Sequence, residues 1–410
     1  MLLSTASTSL SSSSDSDNST SASSVPSSWT SQKSKAQHVQ ADIASNQPSY
    51  TVHRRYYKAQ NENNTARTTP RRRHFEQSLD VYLPTAASND NDMPLVILVV
   101  GSAWAGHRAF LYRGCSFFNS IGPACIAQTV GSTCICIRHS GGFPIISIPI
   151  CCSIGIILVA LFKAGMPEEA LGSLSTKIFA VVAFLHLLLR LGARRSAMFP
   201  DMVQDVADAL QYVHDIRTNK DHPDVILHQA LSKPSSVVFG GYSSGGHVAA
   251  SVLQRPQLWA ERDLTIMDWI DGVVFLSGVL AVTSEQHPTW LTNFVTHSVF
   301  RERIQELPSP VEETAHLTTT TTTTTNNNNN TNNKKKLPHL ILQCRKELPL
   351  GLNWLDAFFA GREYHDRLKE RNIPSKYIEL ERQNHWSILG SRALSNILKE
   401  ELPELVKNER

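Results

Sequence analysis

The run Val237-Val238-Phe239 leads through Gly241-Tyr242-Ser243-Ser244-Gly245 directly into His247-Val248-Ala249-Ala250-Ser251-Val252-Leu253. A buried-strand pattern is followed by a helical pattern with only a G-x-S-x-G turn between them. Few backbones allow this, because the chain must pass from extended to helical almost at once. Side chains flanking such a turn would collide with neighbouring backbone, and glycine removes the collision. The serine then stands at a helix N-terminus, where N–H groups can stabilise a developing oxyanion. The pattern predicts a strained elbow with Ser243 as a nucleophile for acyl transfer. The plainer alternative is a Gly/Ser turn in an ordinary α/β protein.

The surrounding patterns fit an elbow set in a parallel sheet. Leu95–Val100 is a continuous apolar run, as expected of a strand buried on both faces. Similar runs are Leu79–Leu83 ended by Pro84, Thr133–Ile137, Val273–Leu276 and Leu340–Leu342, while Lys376–Leu380 alternates like an edge strand. Helical spacing marks Asp201–Val213, Trp354–Arg371 and Ala393–Val406. Strands alternating with helices predict an α/β fold, a mostly parallel central sheet with helices on both faces. With 410 residues, 41% of them apolar, the chain can build one large domain with insertions, or two ordinary domains.

Residues 1–73 are Ser-, Thr-, Asn- and Gln-rich and read as a disordered low-complexity tail, closed by a basic stretch from Arg54 to Arg73. That stretch is a solvated linker or a contact for anionic lipid headgroups. The domain then covers 74–410, with two interruptions. Residues 314–336 carry the Thr318–Thr325 and Asn326–Asn330 runs, cannot pack a core, and read as a disordered surface loop between two strands. Residues 143–193 form an apolar insertion. Phe143–Phe162 contains no formal charge, and as a helix its twenty residues would span about 30 Å.

With Leu171–Ala193 as a second arm, the expectation is a two-span membrane hairpin, despite Pro149 inside the first arm. The basic flanks Arg138, Arg190, Arg194 and Arg195 would put the core on the cytosolic side of an endomembrane. The N-terminus lacks the apolar core of a secretory signal. A buried lid over a lipophilic pocket in a soluble cytoplasmic protein is the alternative. Net charge is +3, which argues against a dedicated nucleic-acid binder. The seven cysteines show no metal-like spacing and read as buried free thiols. No cofactor or metal is called for.

A serine hydrolase with this elbow needs its acid and histidine in the order Ser…acid…His. His385 stands just beyond the strand-like Lys376–Leu380, where a loop can swing over the nucleophile. His365 lies within a helical pattern, His339 opens a strand, and His247 is one helical turn past the elbow. Glu347 follows Leu340–Leu342 and can hold the imidazole tautomer. Asp356 is the rival acid, in the helical pattern that comes next. The oxyanion donors would be the backbone N–H groups of Ser102 or Ala103, after Val100, and of Ser244.

These residues together resemble the carboxylesterase-like branch of the α/β-hydrolases, with the prenylcysteine methylesterase and kynurenine formamidase families nearest. The resemblance rests on Leu79-Asp80-Val81-Tyr82-Leu83-Pro84, Gly101-Ser102-Ala103-Trp104, Asp201-Met202-Val203-Gln204-Asp205-Val206 and Gly241–His247. Ser102 stands where the first family carries a glycine, and Glu347 takes the place of the usual aspartate. The resemblance spans about 74–140 and 197–405. It implies a serine carboxylic-ester hydrolase acting on a lipophilic ester, such as a prenylcysteine methyl ester or another lipid ester, with membrane lipid as a partner. An aryl or kynurenine formamidase is the near alternative. A non-catalytic hydrolase-fold binding protein is the alternative of another class.

Overall fold

A computed structural model describes residues 50–57, 77–85, 93–101, 120–140, 199–260, 262, 266–282, 309–318, 336–348 and 353–407, with scattered positions between 160 and 181. Among the described residues eight strands form one sheet: β1 (Tyr50–Tyr56), β2 (Ser78–Pro84), β3 (Leu95–Val99), β4 (Cys134–Ile137), β5 (Val237–Tyr242), β6 (Gly272–Leu276), β7 (His339–Cys344) and β8 (Ser375–Leu380). Their order is β1-β2-β4-β3-β5-β6-β7-β8. β2 runs antiparallel to both of its neighbours, and every other pairing is parallel. This is the expected α/β architecture, with β8 at one edge.

After β3 the chain adds β4 on one side and then crosses to add β5 on the other. The ends of β3 and β5 therefore face a switch point, the crevice where open α/β sheets place ligands. Gly101 and Ser243 both lie there.

Alternation along the strands supplies two cores. One face carries Leu95, Ile97, Val99, Val237, Phe239, Val273, Phe275 and Ile341. It is covered by helices α1 (Phe199–Thr218), α2 (Val225–Ser232), α3 (Ser244–Leu253) and α4 (Gly361–Glu370). The other face carries Val96, Leu98, Val238, Val274, Leu340 and Leu342 and is covered by α5 (Arg392–Lys407). In α1, Met202, Val203, Val206, Leu210 and Val213 recur at helical spacing and are all buried. In α5, Leu394, Leu398, Leu402 and Leu405 do the same. The Asp224 carboxylate caps α2 by accepting the Leu227 N–H at 3.2 Å.

Three elements differ from the sequence reading. The start of the 314–336 span, read as a disordered loop, lies in a 3-10 turn at Glu313–Thr318, with Thr314 buried and Leu317 in the core. β1 lies inside the span read as tail, and it pairs along its whole length with β2. A polar strand at a sheet edge lacks the apolar run that marks buried strands. It is held by Arg54, whose guanidinium donates to Asp80 at 2.7 and 3.1 Å, while buried Arg138 reaches the same carboxylate from β4's side. The Trp354–Arg371 pattern divides into a 3-10 turn at Asn353–Phe358 and helix α4. Ala360 takes a left-handed φ of 40°, and the next amide, Gly361 N–H, donates to Gln343 Oε1 at 2.7 Å.

Most of 143–193 lies outside the described residues, and among those described no helix is long and apolar enough to cross a membrane. Residues 319–335, with most of the Thr and Asn runs, also lie outside. Residues bordering that stretch are anchored close together: Arg371 donates to Thr314 Oγ1 at 2.8 Å, and Lys336 to the Asn372 carbonyl at 3.1 Å. Cys134 and Cys344 are buried free thiols, as expected, and Cys136 is buried, whereas Cys125 is a free thiol only partly buried.

Candidate active site

Only Ser243 separates β5 from α3. Its backbone sits at φ 56° and ψ −132°, a region costing a non-glycine residue about 1–3 kcal/mol. Four hydrogen bonds hold it there. Ser243 N–H donates to the carbonyls of Leu276 and Ser277 at 3.2 and 3.1 Å, and its own carbonyl accepts Gly246 N–H and Val279 N–H at 2.9 Å. The glycines are required by space. A Cβ on Gly241 would lie 2.4 Å from the Gly245 carbonyl oxygen, and one on Gly245 would lie 2.2 Å from that of Val99. A Cβ on Gly101 would meet Ser243 Cβ at 2.5 Å, so the chain after β3 passes against the nucleophile turn.

The turn presents Ser243 Oγ to His385, with Oγ 2.9 Å from Nε2. On the far side of the ring, Nδ1 lies 3.0 Å from Glu347 Oε2. A carboxylate can only accept, so Nδ1 carries the proton and Nε2 accepts from the serine hydroxyl. Glu347 Oε1 is held by Cys344 N–H at 2.9 Å, and the Glu347 carbonyl accepts His385 N–H at 2.9 Å. Glu347 is thus bound to His385 twice, by side chain and by backbone, and is fully buried. The three groups come from the ends of β5, β7 and β8, one edge of the parallel sheet.

The other histidines occupy different surroundings. His247 is buried in α3, where burial and then Arg255 push it down to about 3. His339 is buried and lowered to about 4 by desolvation, with Nδ1 2.8 Å from the Leu337 carbonyl. His365 Nδ1 pairs with Ser375 Oγ at 2.8 Å. Asp356, the rival acid, accepts Leu348 N–H at 3.2 Å and so braces the turn that carries Glu347. Burial lifts its carboxyl to about 6, with the Leu348 hydrogen bond opposing the shift. Asp205 accepts Ser140 N–H and Gln77 Nε2 at 2.9 and 3.1 Å, a tether between α1 and the ends of neighbouring segments. Among the expected oxyanion donors, Ser244 opens α3 at the elbow, whereas Ser102 and Ala103 lie outside the described residues.

Sequence reasoning missed the aromatic surround. The Tyr242 ring stacks on His385 at 4.9 Å between centroids and 25° between planes. Its hydroxyl donates to the His385 carbonyl at 2.6 Å. Phe359 lies 4.9 Å from the same imidazole at 59°, and half-exposed Trp386 meets it edge-on at 6.2 Å. The only signal was the tyrosine inside the G-x-S-x-G motif itself.

No family model and no curated protein matches the chain. Solved structures do resemble it. Carboxyl esterase 2 from Tuber melanosporum is 14% identical, with 80% of this chain and 81% of that one covered and a TM-score of 0.45. Esterase B from Lactobacillus rhamnosis is 10% identical, covering 88% and 87%, with a TM-score of 0.49. An esterase from Pyrobaculum calidifontis is 13% identical, covering 80% and 81%, at 0.46. At that level the chemistry has to be read from the site itself.

Proposed function

We propose that this chain is a serine hydrolase of the α/β-hydrolase type that cleaves carboxylic esters. The observation that carries the reading is the continuous relay Ser243 Oγ–His385 Nε2 and His385 Nδ1–Glu347 Oε2, at 2.9 and 3.0 Å. His385 takes the serine proton as Oγ attacks the ester carbonyl, and the resulting imidazolium faces the Glu347 carboxylate. The tetrahedral oxyanion is held by the N–H of Ser244, at the positive end of α3, and by backbone N–H groups at Ser102–Ala103. His385 then gives its proton to the leaving alcohol. Water, deprotonated by the same histidine, resolves the acyl-enzyme to acid and free serine.

The substrate reading is a lipophilic ester, a prenylcysteine methyl ester or another lipid ester. The resemblance supports it, as do the apolar faces of Phe359 and Trp386 beside His385. An intact relay favours an enzyme over a binding protein on the same scaffold. A fluorophosphonate probe tests the mechanism: wild type is labelled and Ser243→Ala is not. No labelling of folded wild type would overturn the proposal. Short-chain, long-chain and prenylcysteine esters compared with an aryl formamide test the substrate class, and preferential formamide cleavage would replace the ester reading.

A further inference from the structure

We infer that Tyr242 is a positioning residue for the base, its ring and hydroxyl holding the His385 imidazole in register with Ser243 Oγ. The inference rests on the relay proposed above and goes one step beyond it.

His385 sits on a loop past β8, and a loop alone does not hold an imidazole to the tolerance that proton transfer needs. Its backbone is gripped at both polar groups: the N–H by the Glu347 carbonyl at 2.9 Å, and the carbonyl by Tyr242 Oη at 2.6 Å. The ring is gripped as well, by the nearly parallel Tyr242 ring and by Phe359, each with its centroid 4.9 Å away. Tyr242 is itself rigid. It is the last residue of β5, paired in register with Leu276 of β6, and is 7% exposed. Burial, with Glu347 and Cys344 nearby, raises its phenol well above the usual tyrosine range, so the hydroxyl stays protonated and donates.

Tyr242 is also bonded covalently to Ser243. One residue therefore fixes the nucleophile through the chain and the base through space. A shift of the elbow carries His385 with it, and the 2.9 Å Oγ–Nε2 separation is kept. Stacked and hydrogen-bonded tyrosines are usually explained by packing alone, so the test needs a readout that packing would not move.

The experiment compares full-length wild type, Tyr242→Phe and Tyr242→Leu in fluorophosphonate inactivation kinetics. Phenylalanine keeps the stack and loses the hydroxyl; leucine loses both. The expected result is a maximal inactivation rate about 10-fold lower for Tyr242→Phe and about 100-fold lower for Tyr242→Leu, the scale of a misplacement near 1 Å. The half-saturating probe concentration stays unchanged. A low-field proton resonance of the His385 Nδ1–H is expected in wild type, and it should broaden or vanish in Tyr242→Phe while thermal unfolding stays near wild type. Wild-type rates and an intact resonance in Tyr242→Phe would overturn the inference, even if Tyr242→Leu fails to fold. Absence of Ser243-dependent labelling in wild type would instead overturn the relay itself, so the two failures are distinguishable.

Discussion

Two carboxylates lie near His385, and their environments assign them different work. Glu347 touches Nδ1, whereas Asp356 touches the backbone of the turn behind it. Glu347→Gln keeps an acceptor for Cys344 N–H but loses the charge opposite the imidazolium. Its kcat on an ester substrate should fall about 10³-fold or more, while Asp356→Asn stays within a few-fold of wild type at pH 8. Asp356 should instead register in stability. Its folded carboxyl titrates at about 6, above the ordinary 3.8, so the folded state binds the proton more tightly than the unfolded one. Wild type should therefore lose stability relative to Asp356→Asn as pH rises from about 4 to 6, with no further change above. Thermal unfolding of both proteins at pH 4.5 and 7.5 would show it; an equal gap at both values would count against the assignment. Ser243, Glu347 and His385 were legible in the sequence because each follows a strand-like run in the required order. Tyr242's second role was not, since it depends on the approach of a loop 143 residues away in the chain.

At the scale of elements, the elbow works only because α3 packs directly against β3. Gly245→Ala would put a methyl 2.2 Å from the Val99 carbonyl oxygen, and neither backbone can yield cheaply. The expected cost is about 1–3 kcal/mol of overpacking, together with loss of probe labelling as Ser243 moves off His385. Urea unfolding followed in parallel with labelling would separate the two effects. Strands β2–β7 were readable from apolar runs, β8 from its alternation, and α1 and α5 from their 3.6-residue spacing. The break between Asn353–Phe358 and α4 was hidden because its cause is distant: Gln343, at the end of β7, captures the Gly361 amide. A hydrogen bond between separate elements leaves no periodic trace.

The molecule as a whole extends further towards its N-terminus than composition implied. β1 closes the sheet, and Arg54 joins Arg138 on the Asp80 carboxylate. Burial alone would raise that carboxyl, but the two guanidinium groups outweigh it and hold it below the usual range. Compared with a chain lacking residues 1–49, one lacking 1–57 should unfold with about 2 kcal/mol less stability in urea. That is short of the 3–5 kcal/mol of a wholly buried pair because Arg54 is partly exposed. Equal stability of the two chains would mean that β1 is ornamental.

The anchors at Thr314 and Lys336 have a consequence for inheritance. Runs of a single amino acid are written in repetitive DNA, which gains and loses units when it is copied. Both anchors sit beside Arg371 and Asn372, just before β8 begins, whereas Ser243 follows the opposite end of β5, which runs parallel to β8 in the same sheet with β6 and β7 between them. Doubling a loop's length costs only about 0.6 kcal/mol of closure entropy. Alleles differing in the number of threonine or asparagine codons should therefore encode proteins with the same relay, and variation there can accumulate unseen by selection on hydrolysis.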